Sequence, residues 1–433
     1  MRQWCSPHPA SAAPERENNM ERRVAVVGLG VISPSGNDIK TFWENIKGGV
    51  NCITLVDEFP TDDYPSKVIG RVKDFDPLAY GIEKGQARKQ SKFILFALAA
   101  AAQATAQSGL VSGENIDPMR YGVYIGSGVG GFESIANAVR TLDNEGPRWV
   151  SPLFVPTAIA NMASGNVAIK HGACGPCCTV LSACSTATHS IGEAYRAIKH
   201  GYADAIIAGG SEATEPKLGI AGFGNARTLT HSTDPEKASR PFSADRDGFV
   251  LGEGAGVIVL EEYEHAKARG ANILAEICGY GNTCDAYNAT APRPDGLTQA
   301  AAIKAALDEA NYSSEDVLYI NAHGTSTKLN DQVETLAFKN ALGEDAYKAH
   351  ISSIKSMMGH GLGAAGGIEA ITCILALQEG IVPPTINLDN PAPECDLDYT
   401  PNKAVEADLT IAISDSLGFG GHNGCIAFRK YNE

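Results

Sequence analysis

The sequence predicts an α/β protein. Apolar runs of strand length alternate with segments of helical period from one end of the chain to the other. Many of those runs end in glycine, as in VAVVGLG, YIGSGVGG and AIIAGG, and the chain holds 46 glycines. At 433 residues, 44% hydrophobic and 20% charged, there is material for two or three domains or one large two-part unit. The second half repeats the style of the first, without a short-period repeat.

Residues 1–20 are polar and rich in Pro, Ala and Ser, and carry Glu15 and Glu17. They have no apolar core of a signal sequence and read as a disordered leader or an added extension, with Met20 as the natural start. Arg23 to Gly30 is a strand. Ser33 stands where a dinucleotide fingerprint needs a third glycine, so a strand-to-turn is expected there. Residues 84–109 read as one long helix. It exposes Lys84, Arg88, Lys89 and Lys92 and buries Phe93 to Ala102, a stretch too short to span a bilayer. Tyr121 to Gly131 is a strand running into glycines, and 147–156 is a loop. Residues 157–171 are helical, interrupted by Asn161 and Asn166.

The β-branched run from Cys178 to Leu181 reads as a short buried strand. A helix follows through Ile191, Ala194, Tyr195 and Ile198. Strands are expected at Tyr202 to Gly210 and Gly254 to Glu262. In the second half they are expected at Asn272 to Gly281, Val317 to Ala322, His350 to Ile354, Thr410 to Asp415 and Gly424 to Arg429. Helices cover 300–310 and 331–341. A glycine-rich turn at 359–367 opens an apolar helix reaching Leu377.

The formal net charge of −15 argues against nucleic acid as the main partner. Eleven cysteines, an odd and scattered number without a secretory signal, read as reduced thiols in the cytoplasm.

Cys184 falls where the expected strand turns into a helix. Free N–H groups and the positive end of the helix can lower a thiol pKa from ~8.5 toward ~3.5–7.5. On its own such a cysteine is more often structural. Three loops shift that balance. NAHGTST places His323 directly after a strand, KSMMGHG places His360 before the glycine-rich helix, and LGFGGHN is a dense turn between two strands. Cys174 and Cys177 imitate a redox motif, but a strand follows them instead of a helix. The Cys174–Cys177 pair has no matching Cys or His pair at zinc-site spacing, so no metal is expected. A Cys–His nucleophilic site fits best.

Taken together and in order, SACSTATH, AGGSEA, RPFSADRDGFVLGEGAG, NAHGTST, KSMMGH…GAAGGIE, PPTINLD and GFGGHN make the chain resemble the β-ketoacyl-acyl-carrier-protein synthases. These are condensing enzymes of the thiolase-like superfamily, and the resemblance is closest to the type called synthase II. It runs from about Glu21 to the C-terminus. It implies a thiolase-like fold with two similar α/β halves, 21–271 and 272–433, forming an αβαβα core of five layers, and a homodimer. It makes Cys184 the acyl-accepting nucleophile and His323 and His360 the catalytic pair. Lys355 is the site lysine, Glu369 a buried supporting acid and Phe419 the gating phenylalanine. Thr325 and Thr327 bind the phosphopantetheine arm, while Val129 and Phe223 line the acyl pocket. The partner is an acyl carrier protein, no resident cofactor is needed, and the substrate brings its own phosphopantetheine. Docking an acidic carrier onto an acidic enzyme calls for a local basic patch, expected at Lys84, Arg88, Lys89, Lys92 and Arg227.

The chain departs from the family at Leu417, where Phe is usual, at Met358 and His422, where Thr is common, and at Lys328, in place of a common Pro. These bear on the entrance and the acyl pocket, not on a catalytic group. A polyketide ketosynthase or a synthase I is the nearest rival. A degradative thiolase would place a second Cys in the turn that carries Phe419, a synthase III would pair Cys with His and Asn, and a chain-length-factor relative or a binding scaffold could dispense with Cys184.

Overall fold

The computed structural model describes residues 22–432, so the leader expected at 1–20 lies outside the described residues. Each half contributes five strands to the main sheet, among the described residues. The first half holds β1 (Val24–Ile32), β2 (Tyr121–Gly126), β3 (Cys177–Cys178), β4 (Ala205–Glu212) and β5 (Gly254–Glu262), in the spatial order 3-2-4-5-1. The second holds β6 (Ala275–Cys284), β7 (Leu318–Asn321), β8 (His350–Ser352), β9 (Ile411–Gly418) and β10 (His422–Lys430), in the order 8-7-9-10-6. This is one pattern used twice. Strand directions repeat as well: the first three positions of each half run parallel, and the last two pairings are antiparallel. The halves meet where Val24–Val26 pairs antiparallel with Ala275–Ile277, which joins all ten strands.

Helices fill the faces. α1 (Lys92–Ser108) covers the outer side of the first half. α2 (Thr186–Lys199) and α5 (Ala365–Glu379) lie against each other between the two sets of strands. α3 (Leu297–Glu309) and α4 (Lys328–Leu342) form the other outer layer. The result is the five-layered αβαβα core of a thiolase-like fold. Separate apolar clusters occupy the interlayer spaces, around Val27 and Phe96, around Ile191 and Ile371, and around Ile303 and Phe338. Residues Leu362–Glu379 are apolar and long enough to cross a membrane, but 89% of that stretch is buried inside the protein, as a central-layer helix must be.

The glycines of β1 serve packing. A Cβ on Gly30 would stand 1.9 Å from the Ala100 carbonyl oxygen, and one on Gly28 would stand 2.0 Å from that of Ala104. The alanine-rich face of α1 therefore lies directly on the strand backbone.

Three stretches depart from expectation. The helix expected over 84–109 is broken into a single turn, Lys84–Ala87, and α1. Ser91 is extended, with φ −71° and ψ 154°, and its hydroxyl is tied to the Thr157 carbonyl. The buried strand expected over Cys178 to Leu181 is only Cys177–Cys178, and it is exposed. It pairs with β2 alone at the sheet edge, and Leu181 is 56% exposed. The stretch at 157–171 is interrupted at Asn161 as expected, between Phe154–Ala158 and Met162–His171, but Asn166 lies inside the second helix, and the first begins within the loop expected at 147–156.

Substituting Gly30→Val should lower the unfolding free energy by about 3 kcal/mol, because neither backbone can give way. Urea denaturation checks this; an unchanged midpoint would mean that α1 does not press on β1.

Candidate active site

Cys184 sits in the tight turn Ala183–Ser185 that leads into α2. Ala183 takes a positive φ of 52°. Such backbone costs a non-glycine residue about 1–3 kcal/mol and persists only where the surroundings fix it. The turn at 418–421, between β9 and β10, closes over it. A Cβ on Gly418 would stand 2.5 Å from the Ser182 carbonyl oxygen, so glycine is what permits the approach. The Ser185 hydroxyl donates to the His422 carbonyl at 2.8 Å and locks the two segments together. The Phe419 backbone N–H donates to the Cys184 sulfur.

His323 stands two residues beyond the end of β7. Its backbone N–H donates to Glu334 Oε1 at 2.6 Å, and the next N–H, of Gly324, donates to Oε2 at 2.8 Å. His360 is fixed by its backbone, with N–H to the Val250 carbonyl at 2.7 Å and its own carbonyl accepting from Gly252 at 2.9 Å. The two imidazoles meet edge to face, centroids 5.2 Å apart, and Phe249 stands against His360 at 5.3 Å. Both ring nitrogens of His360 and Nδ1 of His323 lack protein partners. Buried polar groups without partners are uncommon and point to a substrate or water position. Burial first, and the Lys355 charge second, push both imidazoles well below the usual histidine range. They are neutral at pH 7.

Lys355 is itself only 1% exposed. Its ammonium pairs with Glu369, a fully buried carboxyl on α5. Burial nevertheless raises the Glu369 carboxyl above its usual range.

The thiol differs from the expectation. Burial pushes Cys184 up to about 12, outweighing the opposite pull of Lys355 and of the Phe419 N–H. A strand-to-helix position does not by itself make a thiolate where the surrounding protein excludes most water. The resting group is a thiol.

These residues share one cavity of about 340 Å³. Cys184, His323, His360, Thr325, Thr327, Phe223 and Phe419 all border it. The hydroxyls of Thr325 and Thr327 lie 3.0 Å apart, and the rings of Phe223 and Phe419 lie 6.4 Å apart. Val129 is not among the bordering residues. Its N–H points instead to Glu212 Oε1 at 3.3 Å. Of the expected basic patch, Lys84, Arg88, Lys89 and Arg227 are exposed. Lys92 is turned to Glu253, with Nζ 2.7 Å from Oε1. Leu417 and Lys328 border the cavity, and Met358 is buried.

Three buried acids escaped the sequence reading. Glu212 accepts from Ser127, Gly128, Val129 and Gly363, tying the loop after β2 to the turn before α5, and burial lifts it to about 7. Glu334 holds the His323 backbone. Asp415 on β9 is fully buried, neither oxygen has a protein partner, and burial lifts it to about 7. The available signal was an acid inside an apolar strand run, AIIAGGSE and IAISDSLG. Among the described residues, no three His, Cys, Asp or Glu side chains converge to hold a metal.

Residues 21–266 match the N-terminal domain of beta-ketoacyl synthases, and residues 274–389 match the C-terminal domain. The chain belongs to the β-ketoacyl synthase family. A 3-oxoacyl-[acyl-carrier-protein] synthase 2 from Staphylococcus aureus strain COL is 48% identical over 413 residues, covering 95% of this chain and 99% of that protein. The namesake from Synechocystis sp. is 47% identical over 416 residues, covering 96% and 99%. Among solved structures, a ketosynthase in complex with its type II polyketide acyl-carrier protein superposes with a TM-score of 0.88 at 35% identity, covering 95% of this chain and all of that one. A β-ketoacyl synthase from Burkholderia phymatum STM815 gives 0.87 at 33% identity, with the same coverage. Membership accounts for the repeated half-pattern and for the order of the motif loops in this β-ketoacyl synthase.

Replacing Lys355→Met together with Glu369→Gln should raise the pH at which both imidazoles titrate, since the Lys355 charge that lowers each of them is removed. Carbon-13 NMR of labelled histidines reads this directly. Unchanged titration would remove the Lys355 charge from the causes.

Proposed function

We propose that the chain is a 3-oxoacyl-[acyl-carrier-protein] synthase that extends fatty acyl chains by two carbons. One observation carries the reading: a thiol under a backbone N–H shares a cavity with two neutral, buried imidazoles, and Nδ1 of His323 and both ring nitrogens of His360 have no protein partner.

Cys184 Sγ attacks the thioester of an acyl-carrier protein. The thiol proton goes to the departing pantetheine sulfur, so this step is proton-neutral overall. The N–H groups of Cys184 and Phe419 face the tetrahedral oxyanion, and each such donor is typically worth ~3–4 kcal/mol of barrier. Malonyl-carrier protein then enters. The neutral imidazoles donate N–H to its thioester carbonyl as carbon dioxide leaves and an enolate forms. The enolate carbon attacks the acyl-Cys184 carbonyl, the sulfur departs and takes up a proton, and a 3-oxoacyl thioester is released. Nothing in this sequence calls for a resident metal or redox cofactor.

The carrier-protein partner is supported by the structural relative solved with its own carrier. Lys84, Arg88, Lys89 and Arg227 are its proposed contact. A second copy of the chain is proposed at the open edge of β3, where the strand pairs on one side only and exposed Leu181 follows it closely in the chain. The free cysteines fit a cytoplasmic location.

Cys184→Ala should abolish condensation yet retain malonyl-carrier decarboxylation, because both imidazoles remain; carbon dioxide release and product formation are read in parallel. Condensation by this variant would refute the mechanism. Reversing Lys84, Arg88 and Lys89 to Glu should raise the KM for carrier-protein substrates about tenfold at low salt and less at high salt, with kcat little changed. A KM that stays the same would remove this patch from the account.

A further inference from the structure

The wall of the cavity can be followed along one segment. His323 is 3% exposed and Thr325 6%, Thr327 is half-buried, and Lys328 is open to solvent. The run from 323 to 328 therefore climbs from the reacting centre to the mouth, and Lys328 is its outermost residue on the cavity wall. Arg227 borders the same cavity from the first half of the chain and is also exposed.

These two cations are uncompensated. Among the described residues neither side chain makes an ion pair or hydrogen bond, while the acids on the same wall are satisfied. Asp247 takes Arg240 at 3.1 Å and the Thr230 hydroxyl at 2.7 Å. Asp285 accepts from the Arg293 N–H, the Thr298 hydroxyl and the Asn423 amide. Arg227 is held with a positive φ of 58°, a backbone form that costs a non-glycine residue and gathers at ligand-binding positions. In a chain of net charge −15, two free, exposed cations bordering one cavity favour an anion there.

A ligand that fits has a neutral, hydrogen-bonding arm along Thr327 and Thr325, a thioester at the inner end and an anionic group at the outer end. We propose that Lys328 and Arg227 together hold the phosphate at the head of a phosphopantetheine thioester, so that the enzyme reads this phosphate and not only the protein behind it. The inference rests on the condensing-enzyme reading and adds a specificity residue, Lys328, to it. The phosphate can come from a carrier protein or from coenzyme A.

The test is ligand-observed NMR of free 4′-phosphopantetheine and of pantetheine, which lacks the phosphate. The wild-type protein should prefer the phosphorylated arm by about tenfold in Kd, the range of one to two charge-assisted contacts. Lys328→Pro and Lys328→Gln should each remove most of that preference and leave pantetheine binding unchanged. Lys328→Pro is a safe variant, since Lys328 is the first residue of α4 and proline suits that position. Arg227→Gln should act in the same direction. No preference in the wild type, or variants that weaken both arms equally, would overturn the proposal. In turnover, Lys328→Gln should raise KM for both carrier-protein and coenzyme A thioesters. A rise confined to the carrier protein would place Lys328 against the carrier's surface and overturn it too. Because the preference is a binding property, failure of acyl transfer in the wild type counts against the condensing reading alone.

Discussion

The site depends on one buried cation. Lys355 is almost wholly enclosed, and removing a charge from water is costly unless a partner stands close. Glu369 is that partner, presented by the helix that runs between the two sets of strands. The pair thus fixes α5 in register with the segment after β8. It also sets the local field: the positive charge adds to burial in keeping His323 and His360 neutral, and it opposes burial at Cys184. Nearby carboxyls respond to the same burial. Glu334 is held well above the usual carboxylate range and Asp415 near 7, so few anions compete for the lysine.

The repeated half-pattern supplies the geometry. Cys184 stands between β3 and α2, and His360 stands between β8 and α5, which are equivalent places in the two halves. α2 and α5 pack together in the central layer, so their leading turns come to one place. His323 and the Phe419 turn arrive from strand ends of the second half. A site assembled at such a junction needs close backbone approach, which is why Gly418 lies against the Cys184 turn and why Glu212 can bridge Gly128 and Gly363.

Much of this was legible because each motif carries its own punctuation. A glycine after an apolar run marked the strand ends, and a histidine beside that glycine marked the reacting loops. Two kinds of feature were not legible. One is what depends on a distant partner: the kink at Ser91 follows from Thr157, and Lys92 leaves the basic patch because Glu253 takes it. The other is what depends on the depth of burial. The local sequence around Cys184 suggests an activated thiolate, whereas the enclosing protein keeps it a thiol. The run Cys178 to Leu181 looks buried by composition, yet it lies exposed at the edge of the sheet.

The central claim is that one thiol among eleven is set up to accept an acyl group. Intact-mass and peptide mass spectrometry after brief exposure to an acyl-carrier protein tests it most directly. The account predicts a gain of a single acyl chain, located on the peptide that holds Cys184, while the exposed Cys174, Cys177 and Cys178 stay unmodified. An acyl group on those exposed thiols with Cys184 left free would contradict it.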